Sequence, residues 1–169
     1  RMNKHYLLLL FSLFSLSIYS QNSSDFNKKY ERANKQFDEG NYFTVLPLYL
    51  DLYSQDSTNA NLNYLIGYTY LKGRSERIKS IPFLEKASRA TKANYRKNSV
   101  EERNAPLLTD KLLGDAYHSH SKFDLAILSY QTYLKKSEAA RQSDQVNVSD
   151  AKRKIVMCQT AKELVANPV

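Results

Sequence analysis

Apolar and small positions return along the chain in one register. Three stretches carry it: "YERANKQFDEGNYFTVLPLYLDLYSQDSTN" (Tyr30 to Asn59), "YLIGYTYLKGRSERIKSIPFLEKASRA" (Tyr64 to Ala90) and "KLLGDAYHSHSKFDLAILSYQTYL" (Lys111 to Leu134). Small residues Ala33, Gly67 and Gly114 align, as do Tyr30 with Tyr64, Tyr42 with Phe123, and Tyr49, Leu84 and Tyr130. Ala33 to Gly67 is 34 residues and Gly67 to Gly114 is 47, which is 34 plus thirteen extra. Pro47 and Pro82 coincide once one extra residue is allowed near Arg74. The remaining twelve fit in "TKANYRKNSVEERNAP", a polar, charged segment suited to a loop between units. Units with one apolar stripe cannot bury it alone, so they stack as a helix–turn–helix array. The pattern predicts an all-α fold with helix pairs near 26–38 and 41–54, 60–72 and 76–90, and 105–119 and 122–136. No strand is expected.

After the third unit, polar "SEAARQSDQVNV" leads into "SDAKRKIVMCQTAKELVANPV". Ser149 or Asp150 can cap a helix over about 149–165, with Ala151, Ile155, Cys158, Ala161, Leu164 and Val165 on one face. Pro168 ends it. This reads as the solvating helix that a terminal repeat requires. At the other end, Met2 reads as a start, and Lys4 precedes the apolar run "YLLLLFSLFSL" (Tyr6 to Leu16). Ser20 then precedes Gln21, with no charge until Asp25. That is the layout of a secretory signal peptide cleaved after Ser20, too short and too serine-rich for a spanning helix. The division expected is a signal peptide over 1–20 and one repeat domain over 21–169.

The third unit closely resembles a tetratricopeptide repeat, through Leu113-Gly114, Tyr117, Phe123, Ala126 and Tyr130. The resemblance implies a solenoid of three repeats plus a capping helix. Gly114 lets the second helix approach the first, and Ala126 sits at the closest crossing. Val45 and Ser80 stand at that crossing in the other units, and none of the three has the Trp common early in the first helix. The chain from Phe26 to Val169 is also similar to the N-terminal repeat domain of certain Gram-negative envelope proteins, most specifically in "LGDAYH", "RKIVMC" and "AKELVANPV". In that family a WD-type propeller and an OmpA-like peptidoglycan-binding domain follow, and some members serve type IX secretion. The resemblance implies an N-terminal portion of a longer envelope protein, exported to the periplasm or the periplasmic face of the outer membrane. A free-standing periplasmic adaptor that binds peptides is the alternative.

Candidate chemistry is sparse. In "HSHSKFD", His118 and His120 are two apart and point about 200° away from each other on a helix, so they cannot hold one ion. Asp115 and His118 share a face, but two ligands make a weak site. The single Cys158 reads as a small buried residue. With no Gly-rich phosphate loop and no Ser–His–Asp order, no catalytic residue, metal or small-molecule cofactor is expected. The net charge of +8 concentrates between Lys72 and Lys97, where nine basic residues face only Glu76 and Glu85. That run is a solvated surface or a landing face for an acidic partner. Export argues against nucleic acid.

By the resemblance, the first helices of the units line a groove. It would present Asn27, Tyr30, Asn34 and Phe37, then Asn61, Tyr64, Tyr68 and Lys72, then Leu108, Lys111, Asp115 and His118. The partner-binding residues expected are Tyr30, Asn34, Asn61, Tyr64, Tyr68, Lys72, Lys111, Asp115 and His118, the partner a protein or extended peptide of the envelope. Tyr and Asn suit a peptide backbone, although Tyr30 and Tyr64 could instead only pack between units. The clamp that some family members use for acidic tails is unsupported, since Leu65 and Leu112 occupy its positions.

Overall fold

The computed structural model describes residues 24–73, 76–141 and 144–167. The expected signal peptide, Arg74 and Pro168 lie outside them. The described residues are helical over 24–38 (α1), Tyr42–Gln55 (α2), Ala60–Lys72 (α3), Ser80–Ser88 (α4), Leu108–His118 (α5), Phe123–Ala139 (α6) and Gln145–Ala166 (α7). A short 3-10 turn, Arg77–Lys79, leads into α4. Each helix from α2 to α6 packs against its successor in the chain, and α5 also touches α3 and α7. The fold is all-α.

Two expectations need correction. Thr91 and Lys92 pair in parallel with Ala105 and Pro106, so there is a minimal β bridge where no strand was expected. It closes the insert on itself, with the Ala105 amide donating to the Ala90 carbonyl at 2.9 Å. For the same reason α5 begins at Leu108 and not near 105. The last helix starts four residues earlier than expected, because Asp144 accepts the Asn147 amide at 3.2 Å and caps it there. Ser149 and Asp150, the expected caps, both lie inside the helix, and Asp150 pairs with Lys111 at 2.7 Å.

The repeat register is visible at the helix crossings. A Cβ built on Gly67 would fall 2.6 Å from Leu84 Cγ, and one on Gly114 would fall 2.6 Å from Tyr130 Cδ1. Only a residue without a side chain lets each pair close that far. Val45, Ser80 and Ala126, one per unit, are all fully buried where the second helix begins to cross the first. Leu52, Ala87 and Tyr133 repeat the same relation two turns on. Hydroxyl pairing repeats as well. Tyr49 donates to Asn34 Oδ1 at 2.7 Å and Tyr130 donates to Asp115 Oδ1 at 2.8 Å, in both cases to the residue after the small one.

The turns of units one and three are also alike. After α1 the Asn41 amide reaches the Gln36 carbonyl and the Gly40 amide reaches that of Phe37, each at 3.0 Å. After α5, Lys122 reaches Tyr117 and Ser121 reaches His118 in the same way. Both are Schellman caps, which need a left-handed residue. Gly40 supplies it at φ 78°, whereas Ser121 is forced to φ 56°. Among the described residues, no helix is long and apolar enough to cross a membrane.

Two substitutions at these points have opposite expected signs. Gly114→Leu drives side-chain atoms into the buried Tyr130 ring and lowers stability by about 1–3 kcal/mol or more. Ser121→Gly relieves a left-handed backbone and raises stability by about 1 kcal/mol. Urea unfolding of the two variants checks both. An unchanged midpoint for Gly114→Leu refutes the crossing.

Candidate functional site

The face formed by α1, α3 and α5 is the one expected to bind a partner, and much of it is already filled. A chain of buried tyrosines and asparagines crosses it. Tyr49 donates to Asn34, Asn61 Nδ2 donates to Tyr30 Oη at 2.6 Å, and Tyr95 of the insert donates to Asn61 Oδ1 at 2.8 Å. Asn61 and Tyr30 are almost wholly buried, so each polar atom needs such a partner. Burial pushes the hydroxyls of Tyr30, Tyr49, Tyr64 and Tyr95 above the ordinary tyrosine value, so they stay protonated.

The insert, residues 91–106, reaches this face through several independent contacts. The Tyr95 ring lies edge-on to Tyr64 at 6.0 Å. Lys97 and Asn98 bind the Asp38 carboxylate of α1 at 2.9 and 2.8 Å. Arg103 forks onto Asp56 past the end of α2 at 2.5 and 3.1 Å, and its carbonyl accepts the Asn61 amide. One buried carboxylate organises the segment internally. Glu102 accepts the amides of Arg96 and Asn104, both at 3.0 Å, and Lys92 Nζ at 2.7 Å. Burial alone would raise its pKa, but Lys92 and the two amides outweigh that and hold it down at about 2.

Of the nine residues expected to meet a partner, Tyr30, Asn34, Asn61, Tyr64 and Lys111 are buried among the chain's own groups. Lys111 stands where the other units have tyrosine. Its ammonium sits between Asp115 at 3.2 Å and Asp150 of α7 at 2.7 Å. Lys154 of α7 joins both carboxylates at 2.6 and 3.0 Å, which ties Asp115 into the same cluster. His118 is half-buried, edge-on to Phe123 at 6.0 Å. His120 lies in the turn, with Nδ1 2.9 Å from the Ala116 carbonyl.

Tyr68 and Lys72 remain. Tyr68 is half-buried against Phe37 at 5.0 Å, with Tyr42 and Tyr64 each at 6.0 Å. The exposed Lys72 ammonium lies 5.5 Å from its ring centre, a cation–π contact. Phe37, Tyr42 and Tyr95 were not singled out as partner-binding residues. The repeat register already places Phe37 of α1 in the groove, whereas only their positions at the start of α2 and in the insert bring Tyr42 and Tyr95 here.

The basic run is thinner as a surface than as a sequence. Lys79 pairs with Glu76, Lys92 and Arg96 with Glu102, Lys97 with Asp38, and Lys86 donates to the Tyr53 hydroxyl at 2.7 Å. Lys72, Arg77 and Arg89 have no carboxylate within ion-pair distance among the described residues. No group of three or more His, Cys, Asp or Glu is placed to hold a metal among the described residues. Cys158 is buried in α7, where burial raises its thiol pKa.

The Glu102 geometry has a pH consequence. Its folded pKa is depressed, so its stabilisation is present above the ordinary value of 4.5 and is lost as pH falls from there toward about 2. Amide hydrogen-exchange protection, taken relative to the intrinsic rate at each pH, should fall in 91–106 within that window before it does in α5 and α6. At neutral pH, Glu102→Gln should expose Arg96 and Lys97 to trypsin. Unchanged cleavage means the carboxylate does not hold the insert.

No protein-family model matches this chain, and no curated protein matches it.

Proposed function

We propose that the chain is a non-catalytic protein-interaction scaffold of the tetratricopeptide type, with three helix pairs and a capping helix. The carrying observation is the recurrent crossing, in which Gly67 and Gly114 admit Leu84 and Tyr130 to the same depth. The shared hydroxyl pairing and turn caps of units one and three support the same register. The outward positions of α7 mix polar Lys152, Arg153, Gln159, Thr160 and Glu163 with exposed Val156 and Met157, and Leu164 and Val165, expected on its packed face, are exposed as well. Its setting in this reading is the cell envelope, reached by a cleaved leader. There it serves as the repeat module of an OmpA-family-like protein tied to type IX secretion or peptidoglycan attachment, or as a free-standing adaptor.

The partner is a protein or extended peptide, and the surface left for it is the aromatic patch of Phe37, Tyr42 and Tyr68 with Lys72. An aromatic patch beside a free cation on a rigid helix face is the composition of a binding hot spot. Tyr64 belongs to the core, at 8% exposure, so truncating it would test folding and not binding. The competing surface is the face of α4 with Arg77 and Arg89.

Capture from an envelope fraction by the full chain distinguishes these surfaces. Tyr68→Ala should weaken capture of the partner by about 1–3 kcal/mol, with little effect of added salt. Capture that survives Tyr68→Ala but fails in Arg77→Glu/Arg89→Glu, and falls steeply with salt, moves the site to α4. A chain that captures nothing refutes the scaffold.

A further inference from the structure

The insert does not seal the face completely. A cavity of about 230 Å³ stays open between it and the first helices, walled by Phe37, Tyr64, Leu65, Leu108, Tyr95 and Pro106. It lies where Leu108 of α5 would otherwise meet Tyr64 of α3. In the other two junctions a polar contact joins the equivalent positions, Asn61 to Tyr30 and Asp150 to Lys111. Here the insert wedges in and the apolar Leu108 makes no such bond.

The cavity's size and chemistry limit what it can take. It is smaller than the roughly 300–1,000 Å³ of small-molecule sites, which suits one apolar side chain. The polar groups at its rim, Lys97 and Asn98, are already committed to Asp38. A charged or amide group pushed between these apolar walls would lose hydration at a cost that an apolar side chain does not incur. Tyr68 connects this cavity to Lys72. Its ring lies 5.0 Å from Phe37 and 6.0 Å from Tyr64 of the cavity wall, and 5.5 Å from the Lys72 ammonium. Lys72 has no carboxylate within ion-pair distance among the described residues, so an incoming acid meets an unneutralised cation.

We infer that this face binds a peptide segment that seats one apolar side chain in the cavity and lays a carboxylate on Lys72. The two steps through the Tyr68 ring, 5.0 and 5.5 Å, set the separation at no more than about three residues of extended chain. The inference rests on the scaffold reading and names its ligand. The insert supplies part of the pocket wall, so the segment that fills most of the face also creates its selectivity.

The test uses a library of random dodecapeptides displayed on phage and selected against the full chain. Selected peptides, resynthesised, should carry Leu, Ile, Met or Phe within about three residues of Asp or Glu. Replacing the apolar residue by Ser, or filling the cavity with Leu108→Trp, should weaken binding about tenfold. Lys72→Glu should weaken it about threefold and shift the preference from acidic to basic neighbours. Circular dichroism checks that Leu108→Trp folds. If it does not, the exposed Lys72→Glu charge swap still decides. Selected peptides with no apolar anchor, binding indifferent to both variants, or no selected peptide at all overturns the inference. The scaffold reading falls separately, only if capture from the envelope fraction also fails.

Discussion

A buried asparagine with both ends engaged governs this molecule. Asn61 lies at the start of α3 with no exposed surface, and an amide in that position must find a donor and an acceptor or cost several kcal/mol. Its nitrogen finds Tyr30 on α1, but nothing on the helices satisfies its oxygen. That partner is Tyr95, from a segment that otherwise reads as a solvated loop. Once Tyr95 is drawn in, the insert must cross the face of the first helices, and Lys97, Asn98 and Arg103 find Asp38 and Asp56 on the way. The burial of nearly all of α3 follows from the same cause: helices surround it on one side and the insert closes the other.

The same position is solved differently at the end of the array. Where units one and two use tyrosine three residues before the small residue, unit three uses Lys111. A buried ammonium is costly unless it is paired closely, and α7 supplies the pair through Asp150. Burial alone would raise the Asp150 pKa, but Lys111, Lys154 and Arg153 outweigh it and hold that carboxylate well below the ordinary range. α7 is therefore fastened by charge at its first half, and its second half meets α6 through Lys162 and Asp124. A short apolar seam, Ala151 and Cys158, is all that it buries fully.

What the sequence revealed depended on whether the deciding partner was close in the register. Gly67 and Gly114 were legible because the residues they admit sit at a fixed spacing in each unit, and a repeat displays that spacing three times over. The single extra residue near Arg74 was legible for the same reason, since it offsets Leu84 by one position relative to Tyr49 and Tyr130. The expected groove was only partly legible. Tyr30, Asn34, Asn61 and Tyr64 were correctly placed on the first helices, but their exposure depended on an insert that occurs once and therefore has no register. Glu102 illustrates the difficulty. In sequence it is one acid among charged neighbours, yet folding buries it on two backbone amides and Lys92. The start of α7 was missed on a smaller scale, because Asp144 and Asp150 are equally good caps until Lys111 claims one of them.

Charge tells the same story at the surface. Nine cations between Lys72 and Lys97 look like a landing face when counted, but half of the eight described are paired with Glu76, Glu102 or Asp38. Neutralised in this way, they contribute little long-range field, and exposed pairs of this kind add little stability. What they do instead is hold the insert in place over an aromatic face. The cation left facing that face is Lys72, and it lies against Tyr68 and not against an acid. An aromatic face with the unmatched Lys72 against it favours a partner that brings an apolar group first and a single carboxylate second. An acidic tail recognised by charge alone would find, among the described cations of this run, only Lys72, Arg77 and Arg89 with neither a carboxylate nor, as Lys86 has, a tyrosine hydroxyl, and these lie on two different faces.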